Sequence, residues 1–179
     1  MATTTDPTPP IIPPSPEPFV RMGTIPKWLV THPELRKRGI TLERPLQPFT
    51  VYITDCDADR PSRVVKAINP SRQEIPMYDL FDQLPGSPIN RHTIPHEIVR
   101  CEHPLLIMPY ASPVSKIFKR TTSSILAAFD QILEGVEHLH RLHIAHGDIF
   151  ESNVVAATEA DGKRHPQLTA GRVYLIDFE

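Results

Sequence analysis

A chain of 179 residues has room for one domain with a sizeable core, or for two small lobes, because the buried fraction of surface grows with length. Nineteen Lys and Arg against 21 Asp and Glu leave a net charge of −2, and without a basic stripe this speaks against nucleic acid as a partner. Cys56 and Cys101 stand far apart with no CxxC spacing, which argues against a disulfide framework and a Cys-type zinc site.

Taken from the N-terminus, the chain opens on a proline-rich stretch. Prolines number 21 against 7 glycines, and many fall within residues 7–18. Residues 1–24 therefore read as a disordered or polyproline II tail. They carry neither the basic start nor the apolar stretch of a secretory signal. No apolar run in the whole chain nears the roughly 20 residues that a spanning helix needs. An intracellular, cytoplasmic protein with no membrane partner is the expectation.

Ordered structure is expected from about residue 25. Lys27-Trp28-Leu29-Val30 and Pro33 to Gly39 suggest a short helix ended by glycine, with Arg36, Lys37 and Arg38 as its solvated end. Ile40-Thr41-Leu42 follows, then Phe49 to Thr54, rich in β-branched and aromatic residues. Asp55 to Ser62 is a charged turn, and Arg63 to Ile68 is a further strand with Lys66 inside an apolar run. Together these predict a small antiparallel sheet.

Residues 72–84 place Ile75, Met77, Tyr78, Leu80, Phe81 and Leu84 at helical spacing, with Pro76 near the first turn, where its missing N–H costs least. Ile98-Val99 and the continuous apolar run Pro104 to Tyr110 read as strands. The longest element carries Ile125, Phe129, Ile132, Leu133, Val136, Leu139 and Leu142 at three- and four-residue steps, capped by Ser123 or Ser124. Thr158 to Gly171 reads as a hairpin tip or surface insertion, and Arg172 to Phe178 as the last strand. The order of strands and helices is an α+β pattern.

Chemistry concentrates near the C-terminus. After the helix ending at Leu142 comes His146-Gly147-Asp148-Ile149-Phe150-Glu151-Ser152-Asn153, and Tyr174-Leu175-Ile176-Asp177-Phe178 lies downstream. The histidines at 138, 140, 143 and 146 lack an acidic or Cys partner at convincing spacing, so they read as helix and loop residues, His146 as a hydrogen-bonder of the loop. Lys66 taken alone reads as a snorkelling edge residue.

These segments taken together resemble the protein-kinase-like fold, of Ser/Thr type: a small antiparallel N-lobe over about 40–110 and the first part of a helical C-lobe over about 111–179. His146 to Asn153 is similar to the H-R-D-L-x-x-x-N catalytic loop, and Asp177-Phe178 to the start of D-F-G. The resemblance implies ATP and Mg²⁺ as cofactors, with phosphoryl transfer to a protein hydroxyl. Asp148 would orient or accept the hydroxyl proton, and Asn153 and Asp177 would hold the metal. Lys66 would contact phosphates and Glu74 would pair with it, Glu97 being the alternative partner. Met108 would line the back of an adenine pocket, and the backbone of Pro109 to Ala111, through Tyr110, would bond the base. A more distant resemblance, to aminoglycoside and choline phosphotransferases, rests on H-G-D-x-x-x-x-N followed by I-D-F-E.

The departures carry physical weight too. Residues 41–68 contain no glycine, so no glycine-rich loop brings N–H groups onto phosphates. Gly147 stands where the family has arginine, Phe150 replaces the loop lysine, and Glu179 replaces the glycine of D-F-G. A kinase-like domain ending at Glu179 lacks the later helices, which predicts exposed apolar faces on helix 125–142. A catalytically dead, kinase-derived binding or scaffold domain is therefore the rival expectation.

Overall fold

The computed structural model describes residues 23–57, 60–84, 92–117 and 121–178. The proline-rich tail, apart from Gly23 and Thr24, and Glu179 lie outside the described residues.

Two short helices open the fold, α1 (Lys27–Val30) and α2 (Pro33–Lys37). They are separate because Pro33 occupies the first position of α2, where its lacking N–H is harmless. His32 caps that start, its Nδ1 accepting from the Glu34 N–H at 3.3 Å. Gly39, at φ +64°, closes α2: its N–H reaches Arg36 O and the Ile40 N–H reaches Leu35 O, the paired bonds of a Schellman ending.

Five antiparallel strands form the larger sheet in the order β1-β2-β3-β5-β4: β1 (Leu42–Gln47), β2 (Val51–Thr54), β3 (Arg63–Ala67), β4 (Glu97–Val99) and β5 (Leu105–Pro109). Strand β1 was not expected over this range. Its Pro45 is tolerated because β1 is an edge, where a missing donor spoils no ladder on the outer side. The expected strand from Phe49 starts two residues later, since residues 48–50 form the turn and Phe49 adopts φ +68°.

Alternation along the inner strands feeds two cores. Val64, Leu106 and Met108 join the main cluster with Tyr78, Phe81, Leu139, Val154, Tyr174 and Phe178. Val65, Leu105 and Ile107 point the other way, onto Tyr52, Leu29 and Leu35. Helix α3 (Glu74–Gln83) drives the fully buried Tyr78 and Phe81 into the main cluster, with Pro76 in its first turn.

A smaller antiparallel sheet has the order β6-β7-β8: β6 (Ser112–Pro113), β7 (Val154–Ala156) and β8 (Val173–Leu175). The short helix α4 (Val114–Ile117) follows β6, and α5 (Thr122–Arg141) crosses beside β8. The cap of α5 is Thr121, whose Oγ1 accepts from the Ser124 N–H, rather than Ser123 or Ser124. Ala128, Ile132, Gly135, Val136 and Leu139 turn inward, whereas Ile125, Leu126, Phe129 and Leu133 are exposed.

The segment read as a hairpin tip contains a helix, α6 (Glu159–Arg164). Thr158 and Asp161 form a reciprocal capping box at its start, each side chain bonding the other's backbone N–H. The architecture is α+β with an antiparallel sheet.

Candidate functional site

The strand position of Lys66 decides its surroundings. It pairs with Leu106 of β5 and Val51 of β2, so its stem lies among apolar neighbours and its ammonium points to the main-core side. There Nζ donates to Glu74 Oε1 at 2.8 Å and to Asp177 Oδ1. Lys66 and Glu74 are both buried, and the Asp177 side chain is partly exposed. Glu97 takes no part: it lies exposed on β4 and pairs with Arg38 at 2.7 Å.

Burial raises the Glu74 carboxyl above its ordinary value, and the Lys66 hydrogen bond and charge pull only partly against it. The neighbouring Tyr78 phenol is pushed well up by complete burial first, then by the charges of Glu74 and Asp177. A carboxylate kept ionised in so dry a place is costly unless a cation holds it.

Asp177 adopts φ +69°, a left-handed conformation that Asp tolerates better than most residues. Its flanks hold it there. The Ile176 N–H donates to Asn153 O at 3.1 Å, and Phe178 is buried against Phe81, Tyr78 and His146. His146 Nε2 donates to Ile176 O at 3.1 Å, and its Nδ1 receives the Asp148 N–H at 3.4 Å, which assigns the Nε2–H tautomer. His146 thus hydrogen-bonds the loop, as its position in the sequence suggests.

The loop itself is tied by Asn153. Its Nδ2 donates to both the backbone oxygen and Oδ2 of Asp148, at 3.0 and 2.8 Å. Asn153 is buried while Asp148 is exposed, so the amide anchors a carboxylate that faces solvent. Gly147, at φ +78° with no atom near its would-be Cβ, makes the bend before Asp148.

These groups border one cavity of about 300 Å³ between the two sheets. Lys66, Glu74, Asn153 and Asp177 sit at its polar end, and Val64, Met108, Ala111, Val155 and Ile176 supply apolar walls. Of the residues picked out in the sequence, Lys66, Glu74, Met108, Tyr110, Ala111, Asn153 and Asp177 line it, and Asp148 adjoins it through Asn153. Leu46 and Gln47 also line it, and were missed because Pro45 hid β1. Ile94 and Ser152 were missed as well. The expected backbone edge is narrower than supposed: the Tyr110 N–H is committed to Ser62 O at 3.1 Å.

The donor set can be tested against Mg²⁺. Asp177 and the Asn153 amide oxygen are hard oxygen donors on the same cavity, and Mg²⁺ takes one or two carboxylates with phosphate and water oxygens completing its octahedron. The residues fit that ion. Among the described residues no group of three or more His, Cys, Asp and Glu side chains could hold a metal by itself. No described helix is long and apolar enough to cross a membrane.

Searched against known proteins, the chain matches no family model and no curated protein.

Proposed function

We propose that the cavity is a nucleotide site of protein-kinase-like type, taking Mg²⁺-ATP and serving phosphoryl transfer to a protein hydroxyl. One observation carries the reading: Asp177, 111 residues from Lys66 in sequence, meets the Lys66–Glu74 pair through Lys66 Nζ at the polar end of an otherwise apolar cavity. Phosphoryl transfer asks mainly for positioning and neutralisation of charge, and these groups are suited to both. Adenine would occupy the apolar end against Met108, with the Pro109 carbonyl and Ala111 backbone at its edge. Lys66 would meet phosphate oxygens, oriented by Glu74. Mg²⁺, when bound, would neutralise phosphate charge from Asp177 and Asn153. Asp148, fixed by the Asn153 amide, would orient the acceptor hydroxyl at the solvent-facing mouth.

A second reading has its own support. Two carboxylates, Glu74 and Asp177, hold one buried cation, the turn after β1, Pro48-Phe49-Thr50, contains no glycine, and Phe150 is exposed where the family has lysine. That charge balance suits nucleotide binding without turnover, as in a kinase-derived scaffold domain. Transfer to a small alcohol, as in the aminoglycoside and choline phosphotransferases, is distinguished by the acceptor.

The test is a thermal shift with millimolar Mg²⁺-ATP on folded protein. Stabilisation is expected, and Asp177→Asn is expected to abolish most of it. No shift with the wild-type protein overturns the nucleotide reading. Given a shift, phosphate appearing on protein, on a small alcohol or on neither separates kinase, small-molecule kinase and scaffold.

A further inference from the structure

His165 plays no part in the reading above, yet it is only 3 % exposed between exposed neighbours. It follows α6 directly, in the connection between β7 and β8 of the smaller sheet. Its ring reaches out of that sheet to the larger one, where Nε2 donates to the Ser62 carbonyl at 2.8 Å. A carbonyl only accepts, so Nε2 carries the hydrogen.

The same Ser62 carbonyl accepts the Tyr110 N–H at 3.1 Å. This bond extends the β3–β5 ladder one step past the Arg63–Pro109 pair, onto the stretch where the chain leaves β5 for β6. Pro109, Tyr110 and Ala111 are also the wall of the cavity. His165 and the cavity wall therefore share one acceptor, with its two lone pairs divided between them. The backbone that carries the ring is braced: the His165 backbone N–H bonds Asp161 O, the Leu168 N–H bonds His165 O, and both lie at 2.8 Å. Asp161 is in turn locked by the capping box with Thr158.

We infer that His165 is a positioning residue for the candidate nucleotide cavity, a latch that ties the β7–β8 connection to Ser62 and so fixes the Pro109–Ala111 wall between the two sheets. The latch acts through Ser62 and touches no ligand. Its effect on nucleotide affinity rests on the proposed function, whereas its effect on the Tyr110 amide does not. Burial keeps the ring in its uncharged form by lowering its pKa, with Arg63 and Arg164 adding to that and Asp161 and the Ser62 bond opposing it.

The experiment compares wild-type protein with His165→Ala, His165→Asn and His165→Gln by amide hydrogen exchange, and measures Mg²⁺-ATP affinity in parallel. Gln sets its amide nitrogen near the Nε2 position, whereas Asn is too short to reach Ser62. Exchange at Tyr110 is expected to rise about five- to tenfold in the Ala and Asn variants, the equivalent of one hydrogen bond. Leu106 exchange should stay unchanged, and Gln should restore wild-type behaviour. Nucleotide affinity is expected to fall severalfold in Ala and Asn and recover in Gln. Unchanged Tyr110 exchange in either variant, or a Gln variant no better than Asn, overturns the latch. Should the Ala variant not fold, Asn against Gln decides. Faster exchange with unaltered affinity overturns the positioning role, and a wild-type protein that binds no Mg²⁺-ATP overturns the nucleotide reading while the exchange data still judge the latch.

Discussion

Glu74 illustrates how one residue's burial shapes the site. Its folded-state pKa is raised, chiefly by burial, so the folded protein binds a proton there more readily than the unfolded chain. The associated stability is fully present below the ordinary glutamate value of about 4.3 and is lost as pH rises through the raised value. Near neutrality, then, the ionised carboxylate opposes folding. Glu74→Gln should therefore be more stable than wild type at pH 7, by about 1 kcal/mol, because Asp177 still holds Lys66. The difference should vanish below about pH 4, as differential scanning calorimetry across that range will reveal. Weaker Mg²⁺-ATP binding in the same variant is expected if Glu74 aims Lys66. The polar cluster was legible residue by residue because Asp148, Asn153 and Asp177 sit at family-like spacings. The Glu74 and Glu97 alternatives could not be separated without knowing that β4 carries Glu97 away toward Arg38.

Among the elements, α5 was the easiest to foresee and the easiest to misorient. Its apolar residues form two adjoining stripes, one through Ile125, Phe129 and Leu133, the other through Ala128, Ile132, Val136 and Leu139. Periodicity identifies a helix from either stripe but does not say which faces inward. Gly135 decides it: a Cβ there would stand 2.9 Å from the His92 Cβ and 3.2 Å from Leu175 Cδ1, so this side of the helix packs tightly against His92 and β8. Gly135→Ala gains helix propensity of about 1 kcal/mol but overpacks the contact by roughly 1–3 kcal/mol. A net loss of about 1 kcal/mol in chemical denaturation is the expected outcome. Strand β1 and helix α6 escaped the sequence for different reasons. Pro45 disguises an edge strand, and the Thr158–Asp161 box uses Asp where Glu or Gln is the usual signal, with Gly162 inside the helix.

At the scale of the molecule, the α+β order was readable from alternating β-rich and helical stretches, but the division of the interior was not. Pleating sends neighbouring residues of one strand into different cores, and nothing local says that two cores exist. Strand β5 is where this matters. All five of its residues are buried, Leu106 and Met108 on the main cluster and Leu105 and Ile107 on the other. Neither cluster can loosen without disturbing a strand on which the other depends. Leu106→Ala and Ile107→Ala, acting on opposite faces, should each cost about 2–5 kcal/mol. Each should also lower a single shared melting transition, seen alike by Trp28 fluorescence beside the smaller cluster and by far-ultraviolet circular dichroism. Two separate transitions would refute that coupling. A strand that serves two interiors makes the protein all-or-none: heat or a mutation on the face remote from Lys66 would dismantle the candidate nucleotide cavity at the same moment as everything else.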